Sequence, residues 1–486
     1  MRSISLINHL EFNFNGSVVR KGITLGDVDN DGNYELIVGN ETGDVAIFKA
    51  LDCWQTISNL GFVSCVVVGD VLNQKRNCLV IVTADGWCFI YSAEENGGDA
   101  GDDVDKISEN MESLIFSTES NCSSRSGSIA GDGKEEPRVF LKRIHAQRIP
   151  PNTKDILLGD IDGDGAIEMV LGLTDRVVRS YRWVETVNDP TKVPSKPEII
   201  GKLVALNKWE CAQQIGSVSL HHSVDGIPSL LVAQPGGTFM RIKHQSVDVT
   251  EVTNSAIIPP SAQVTNLDQC DDHGDLENLT GFSVDYQFLG ISRMRNSNIS
   301  TEILGDLVTS TNSNDLDKES KSDEHKETQQ GSPYAVATLD GTIMLVQDEI
   351  ILWAIAVDHQ LFALTKLDVT KNGLDEIIVC SWDGHTYILD QQKNTVRFQL
   401  NESVQAFEVG YYTLIPGSAP VTCFVYITFR NKILLYFDIP LKNMICKKFE
   451  LPNLPSLQNI VNCDLETLTS TDKKDIVEYL LYGLKS

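Results

Sequence analysis

Three carboxylates on alternate residues, then a glycine and a glutamate, form a donor pattern suited to a hard cation, and the chain carries it twice. In LGDVDNDGNYELIVGN, Asp27, Asp29 and Asp31 stand at loop positions 1, 3 and 5, Asn33 can offer its backbone carbonyl, and Glu35 stands at position 9. In LGDIDGDGAIEMVLG, Asp160, Asp162, Asp164 and Glu168 take the same places. Calcium takes about six to eight oxygen ligands, and a turn that alternates its side chains can aim them into one concavity. These residues are therefore candidate ligands of a structural calcium. An EF-hand is excluded, because its bidentate Glu belongs at position 12, where Val38 and Leu171 stand.

A third copy offers Asp368, Thr370, Asn372 and Glu376, with one carboxylate fewer at position 3 and an amide at position 5, so Asp368, Asn372 and Glu376 make a weaker candidate. At Asp70 the pattern fails, since Leu72 and Gln74 replace ligands. The alternative for all these loops is a metal-free Asx-type turn whose carboxylates accept backbone N–H bonds. Even an occupied site would do structural work, neutralising repulsion among its own carboxylates.

No catalytic constellation accompanies the loops. GxSxG, HExxH and P-loop patterns are absent, so no enzymatic activity, catalytic residue or further cofactor is expected. His221 and His222 are adjacent, and neighbours on a strand face opposite sides, which speaks against a shared ligand role. His359 precedes an apolar run and reads as a partner in a core or blade-edge hydrogen bond. Trp87, Trp183, Trp353 and Trp382 lie in or near strands and read as packing, with binding-surface anchors the alternative.

The loops recur because the elements around them recur. Each unit has an apolar strand ending near an Asp, a polar turn, a second apolar strand, a tight turn such as TGD, TDR or WDG, and a third alternating strand. Weaker copies begin at Val68, Val218 and Phe407, and a split copy runs from Ile303 to Asp348. With the three acid-bearing copies these make seven units, and 43 residues separate Asp27 from Asp70. A period of about 40–45 residues with several strands per unit predicts an all-β fold, a seven-bladed β-propeller. The strand around Ile4 to Phe14 is placed to complete the last blade and close the ring.

Polar insertions lengthen some units, at about 94–136, 186–197, 245–277 and 308–332. The first holds twelve Asp or Glu against three Lys or Arg, a composition that cannot bury enough apolar area to offset ordering, so disordered acidic loops are expected. The propeller is placed at residues 1–440. A tail at 441–486 follows, with a short C-terminal helix over about 472–482 that docks on the propeller or on a partner.

The net charge of −27 opposes nucleic-acid binding and adhesion to anionic lipid. No secretory signal or membrane-spanning run is present, and eleven scattered cysteines lack a CxxC pair. A cytoplasmic protein without direct membrane insertion is the expectation.

The DxDxDGxxE loops, each followed by strand and turn, resemble the FG-GAP repeats of integrin α-chain propellers. LGDVDNDGNYELIVG, IPPNTKDILLGDIDGDG with TDRVVRSYRW, and VDHQLFALTKLDVTKNGLDEIIVCSWDGHTYILD resemble more specifically the integrin-alpha FG-GAP repeat-containing protein 2 family. That resemblance implies a non-enzymatic scaffold subunit of a KICSTOR-like complex, beside a kaptin-like propeller and a large scaffold subunit. Such a complex helps bring the GATOR complex to the lysosomal surface and restrains target-of-rapamycin signalling when amino acids or glucose are scarce. The alternative is an integrin-like, calcium-dependent ligand-binding propeller.

Overall fold

Apolar residues that fill both faces of short strands require a neighbouring sheet on each side, and a ring of radial sheets provides it. The computed structural model describes residues 2–95, 139–186, 200–244, 281–289, 298–309 and 331–439, with isolated positions beyond. Seven antiparallel sheets follow one another along the chain as the blades of a β-propeller. Blade 1 runs from Ile23–Gly26 to Asp52–Ile57, blade 2 from Val63–Gly69 to Val139–Arg148, and blade 3 from Thr153–Gly159 to Gly201–Glu210. Blade 4 runs from Val218–His222 to Phe282–Phe288, blade 5 from Thr301–Leu304 to Ile350–Ala356, and blade 6 from Leu361–Leu367 to Thr395–Gln399. Blade 7 takes Val404–Tyr412, Val421–Thr428 and Lys432–Phe437 from one end of the chain and its outer strand, His9–Asn13, from the other. The seven expected units are the seven blades.

His9–Asn13 pairs antiparallel with Lys432–Phe437, so the ring closes by a strand from the N-terminal end. Arg2–Ile4 adds in parallel to the outer strand of blade 6. Phe12 is buried and packs on Phe48 of blade 1 at a 4.7 Å ring-centroid distance, which ties the closing strand to both neighbouring blades.

Blades 1, 2, 3 and 7 end or bend their first strands at a glycine that receives a side chain from the next blade. A Cβ on Gly26 would lie 2.9 Å from Val68, and one on Gly69 would lie 2.8 Å from Leu158. Removing the Cβ there lets the inner strands approach closely enough to interdigitate. At the ring centre Arg20 makes a two-pronged ion pair with Glu302 of blade 5, and Lys21 Nζ lies 3.0 Å from the buried Asp155 of blade 3.

The chain divides into one compact unit at Met1–Ile439 and another at Pro440–Ser486. The expected C-terminal helix falls, apart from single positions, outside the described residues, and so do nearly all of the expected insertions. The stretches at 96–138, 187–199 and 245–280 each separate the third and fourth strands of their blades, and 310–330 separates the first and second strands of blade 5.

Phe12→Ala is expected to cost about 3–5 kcal/mol, the range for truncating a buried Phe, which chemical denaturation will measure. Phe12→Leu, which keeps most of the apolar volume, should recover most of that loss.

Candidate functional site

The acidic loops are built on one backbone design. In blade 1 the loop follows Ile23–Gly26 and closes where Gly26 pairs with Glu35. In blade 3 the closing pair is Gly159 and Glu168, in blade 6 Leu367 and Glu376, and in blade 2 Gly69 and Cys78. Loop positions 4 and 6 are left-handed in all four: Asn30 and Gly32, Asn73 and Lys75, Gly163 and Gly165, Lys371 and Gly373. Asn and Gly adopt this region at least cost.

The first aspartate staples every loop to its own backbone, and in blades 1, 3 and 6 the glutamate does so as well. Asp27 accepts the N–H groups of Asp31 and Gly32 at 3.1 and 3.0 Å, and Asp368 accepts those of Asn372 and Gly373 at 3.0 and 2.7 Å. Asp160 accepts from Gly163 and Gly165, and Asp70 from Gln74 and Lys75. The buried Glu35, Glu168 and Glu376 each accept the N–H of loop position 2, from Val28 at 3.0 Å, Ile161 at 3.0 Å and Val369 at 2.8 Å. The loop of blade 2 keeps the backbone conformation with neither a second loop acid nor the glutamate. The Asx-type bonding thus suffices to shape the loop.

A side-chain cation stands where the remaining carboxylates converge. Lys49, at the end of Val45–Lys49, places Nζ 2.6 Å from Asp29, 2.5 Å from Asp31 and 3.4 Å from Glu35. In blade 3 Arg182, within Val177–Glu185, reaches Asp164 at 2.7 Å and Asp162 at 3.0 Å, and its Nε donates to Glu168 at 2.5 Å. Burial pushes the Glu35 carboxyl up to about 7 and also raises that of Glu168. Burial works against the charge of Lys49, but its bonds to Asp29 and Asp31 outweigh that and raise its pKa.

Two carboxylate oxygens, Asp29 Oδ1 and Glu35 Oε1, are buried without a hydrogen-bond donor. Asp27, Asp29 and Glu35, like Asp160, Asp162 and Glu168, lie close enough together to hold an ion. The ammonium of Lys49 and the guanidinium of Arg182 stand among these carboxylates, so a calcium ion would have to displace them. Asn33 uses its side-chain Oδ1 to accept the N–H of Gly417 at 3.0 Å. In the third loop the Thr370 hydroxyl donates to Glu376 at 2.8 Å, a neutral solution to the same buried charge.

The missed residues had a sequence signal. Lys49 and Arg182 each stand fourteen residues after the loop glutamate, whereas blade 2 has Ser92 and blade 6 has Asp390 at that register. Only the two loops with a full acid set have a base there.

The family model described as integrin-alpha FG-GAP repeat-containing protein 2 matches residues 47–441. The chain belongs to that family. A relative from Mus musculus, KICSTOR complex protein ITFG2, is 35% identical over 448 residues, covering 91% of this chain and 87% of its own. The Bos taurus protein of the same description is 34% identical over 454 residues, covering 91% and 73%. Among solved structures, BBS1N in complex with ARL6DN, soaked with lead, has a TM-score of 0.50 at 11% identity and covers 90% of this chain and 99% of that one. This last likeness concerns the fold alone.

Other singled-out residues of this FG-GAP protein serve packing and pairing. Trp183 is buried, Trp87 stacks on Phe89, Trp353 donates to the carbonyl of Gln391 at 2.8 Å, and Trp382 stacks on Phe362 at 4.1 Å. Among the described residues seven cysteines are free, and all but Cys53 are buried. His221 is buried and His222 only half-buried, as strand neighbours should differ, and both approach Asp306, at 3.5 and 2.7 Å. Asp306 follows the inner strand of the next blade and reaches both imidazoles.

Lys49→Met is expected to lower Tm by roughly 5 °C in EDTA and to gain calcium stabilisation that the unsubstituted protein lacks. Thermal scans with and without calcium check both expectations. A second prediction concerns His221, which burial holds down at about 4 with its Nδ1 lacking a hydrogen-bond partner. The unfolded chain takes up that proton near 6.5, so this group's stability is present above pH 6.5 and is lost as pH falls toward 4, by on the order of 2–3 kcal/mol. Denaturation of His221→Phe across that window should show a shallower decline.

Proposed function

We propose that the chain is a non-enzymatic scaffold subunit of a KICSTOR-like complex. In this reading it helps bring the GATOR complex to the lysosomal surface and restrains target-of-rapamycin signalling on amino-acid or glucose limitation. The observation that carries the reading is similarity over 91% of the chain to proteins described as KICSTOR complex members. Membrane contact through protein partners suits the net charge of −27, and no helix among the described residues is long and apolar enough to cross a bilayer.

Two neighbouring outer strands offer apolar surface for such partners. On Phe282–Phe288 of blade 4, Val284, Tyr286 and Phe288 are exposed on alternate positions, and on Ile350–Ala356 of blade 5, Ile350, Ile351 and Leu352 are exposed. Gln287, on the opposite face of the first strand, donates to Glu349 beside the second, while Tyr286 donates its hydroxyl to the Glu210 carbonyl of blade 3, so each row is an apolar surface of its own. Apolar side chains gathered in this way characterise protein contact sites. The side-chain cations in the acidic loops favour this scaffold over a calcium-dependent ligand-binding propeller.

Affinity purification of the tagged full-length protein from starved and fed cells tests the assignment. Recovery of the kaptin-like and large scaffold subunits with GATOR is the expected result. A stable protein recovered without those subunits from either state overturns it. A Phe288→Ser, Ile350→Ser double variant should keep its Tm within a few degrees and lose most of that recovery.

A further inference from the structure

The geometry points to a zinc-class metal site formed by His359, Asp383 and His385 on blade 6. It lies apart from the acidic loops, at the tight turn between Glu376–Ser381 and His385–Leu389. His359 comes from the link that follows the outer strand of blade 5. One ligand atom from each residue lies within 4.8 Å of the others.

Both imidazoles present Nδ1 to the same carboxylate oxygen. His359 Nδ1–H donates to Asp383 Oδ2 at 2.7 Å, and His385 Nδ1 lies 3.2 Å from that oxygen. The rings stack with centroids 3.7 Å apart and planes at 19°, which keeps the two Nδ1 edges side by side. A tetrahedral ion with bonds of about 2.0–2.1 Å separates its ligand atoms by roughly 3.3 Å and lies in the plane of each ring, so binding turns the part-exposed His359 ring out of the stack to aim its Nδ1 at the ion. His385 is 8% exposed, and its Nδ1 has no hydrogen-bond partner of acceptable geometry. A buried ring nitrogen left in that state loses solvation without return, and a metal bond at that atom restores it.

The turn holds the trio in place. Ser381 donates its hydroxyl to Asp383 Oδ1 at 2.5 Å and accepts the backbone N–H of His385 at 3.0 Å. Asp383 thereby keeps Oδ2 free for the two histidines. Similar Asp-Gly turns occur in blade 2 at Asp85 and in blade 5 at Asp340, each anchored by a threonine hydroxyl, but neither has the two histidines. Blade 2 instead sets Arg148 near Asp85, at 3.8 Å. Among the described residues, only the blade 6 turn therefore combines this anchor with imidazoles.

Two imidazole nitrogens and one carboxylate oxygen form a borderline donor set that suits Zn²⁺ over calcium or magnesium. Binding displaces the proton on His359 Nδ1 to solvent and leaves a fourth position for water. Asp383 is exposed, which gives the ion a path in. This site stands independently of the scaffold assignment.

Calorimetric titration of Zn²⁺ into chelator-stripped full-length protein tests it, with Co²⁺ absorption as a reporter of tetrahedral nitrogen and oxygen ligation. One equivalent of Zn²⁺ is expected to bind and raise Tm. His359→Ala, on the exposed side of the trio, should abolish that equivalent while leaving the metal-free Tm nearly unchanged. Ser381→Ala should weaken it by about 10–100-fold. Absence of zinc binding, or binding retained by the His359→Ala, His385→Gln double variant, overturns the assignment. If the double variant does not fold, retained binding by His359→Ala alone does so.

Discussion

The buried glutamate at the foot of the acidic hairpin is the constraint around which the loops are organised. Glu35, Glu168 and Glu376 each sit at the closing pair of the hairpin and bond the N–H of the loop's second residue. That bond holds the loop against the strands, but it commits a carboxylate to a place where water cannot solvate it. Burying a charge without a partner costs far more than burying a hydrogen-bonded neutral group. Lys49 and Arg182 provide that partner in blades 1 and 3, and the Thr370 hydroxyl meets the need in blade 6. Blade 2 has Cys78 at this position and needs no compensation.

This division of labour separates loop shape from loop charge. Shape comes from the first aspartate and the two left-handed positions, which persist at Asp70 although the other acids are gone. Charge balance comes from the third strand of the same blade. A divalent ion would perform both tasks together, and here two different parts of the chain perform them. The ring's resistance to opening rests elsewhere, on the N-terminal closing strand and on inner strands that meet at glycine.

Much of this was legible before any fold was known. The seven units, their order, and the N-terminal strand as the closing element followed from alternation, turns and spacing, because those are local and repeat. The Asx-type bonding was also a stated alternative, since an Asp at position 1 can reach only nearby N–H groups. The compensating cation carries a weaker signal because it lies outside the loop, on the third strand of the blade. Lys49 and Arg182 share a fourteen-residue offset from the glutamate, a register that shows only when the copies are aligned. The approach of His221 and His222 to one carboxylate had no such signal, because Asp306 lies in the next blade.

By itself the sequence determined the period, the strand pattern and the acidic loops, all of which depend on residues within one hairpin or its copies. Tertiary structure alone decided what meets those groups. Lys49 lies above Asp29 because the third strand folds back past the loop, Arg20 meets Glu302 because the ring brings blades 1 and 5 to a common centre, and His359 meets His385 because one blade hands the chain to the next. Charge compensation depends on distance in space, and in a propeller that distance is set by blade geometry.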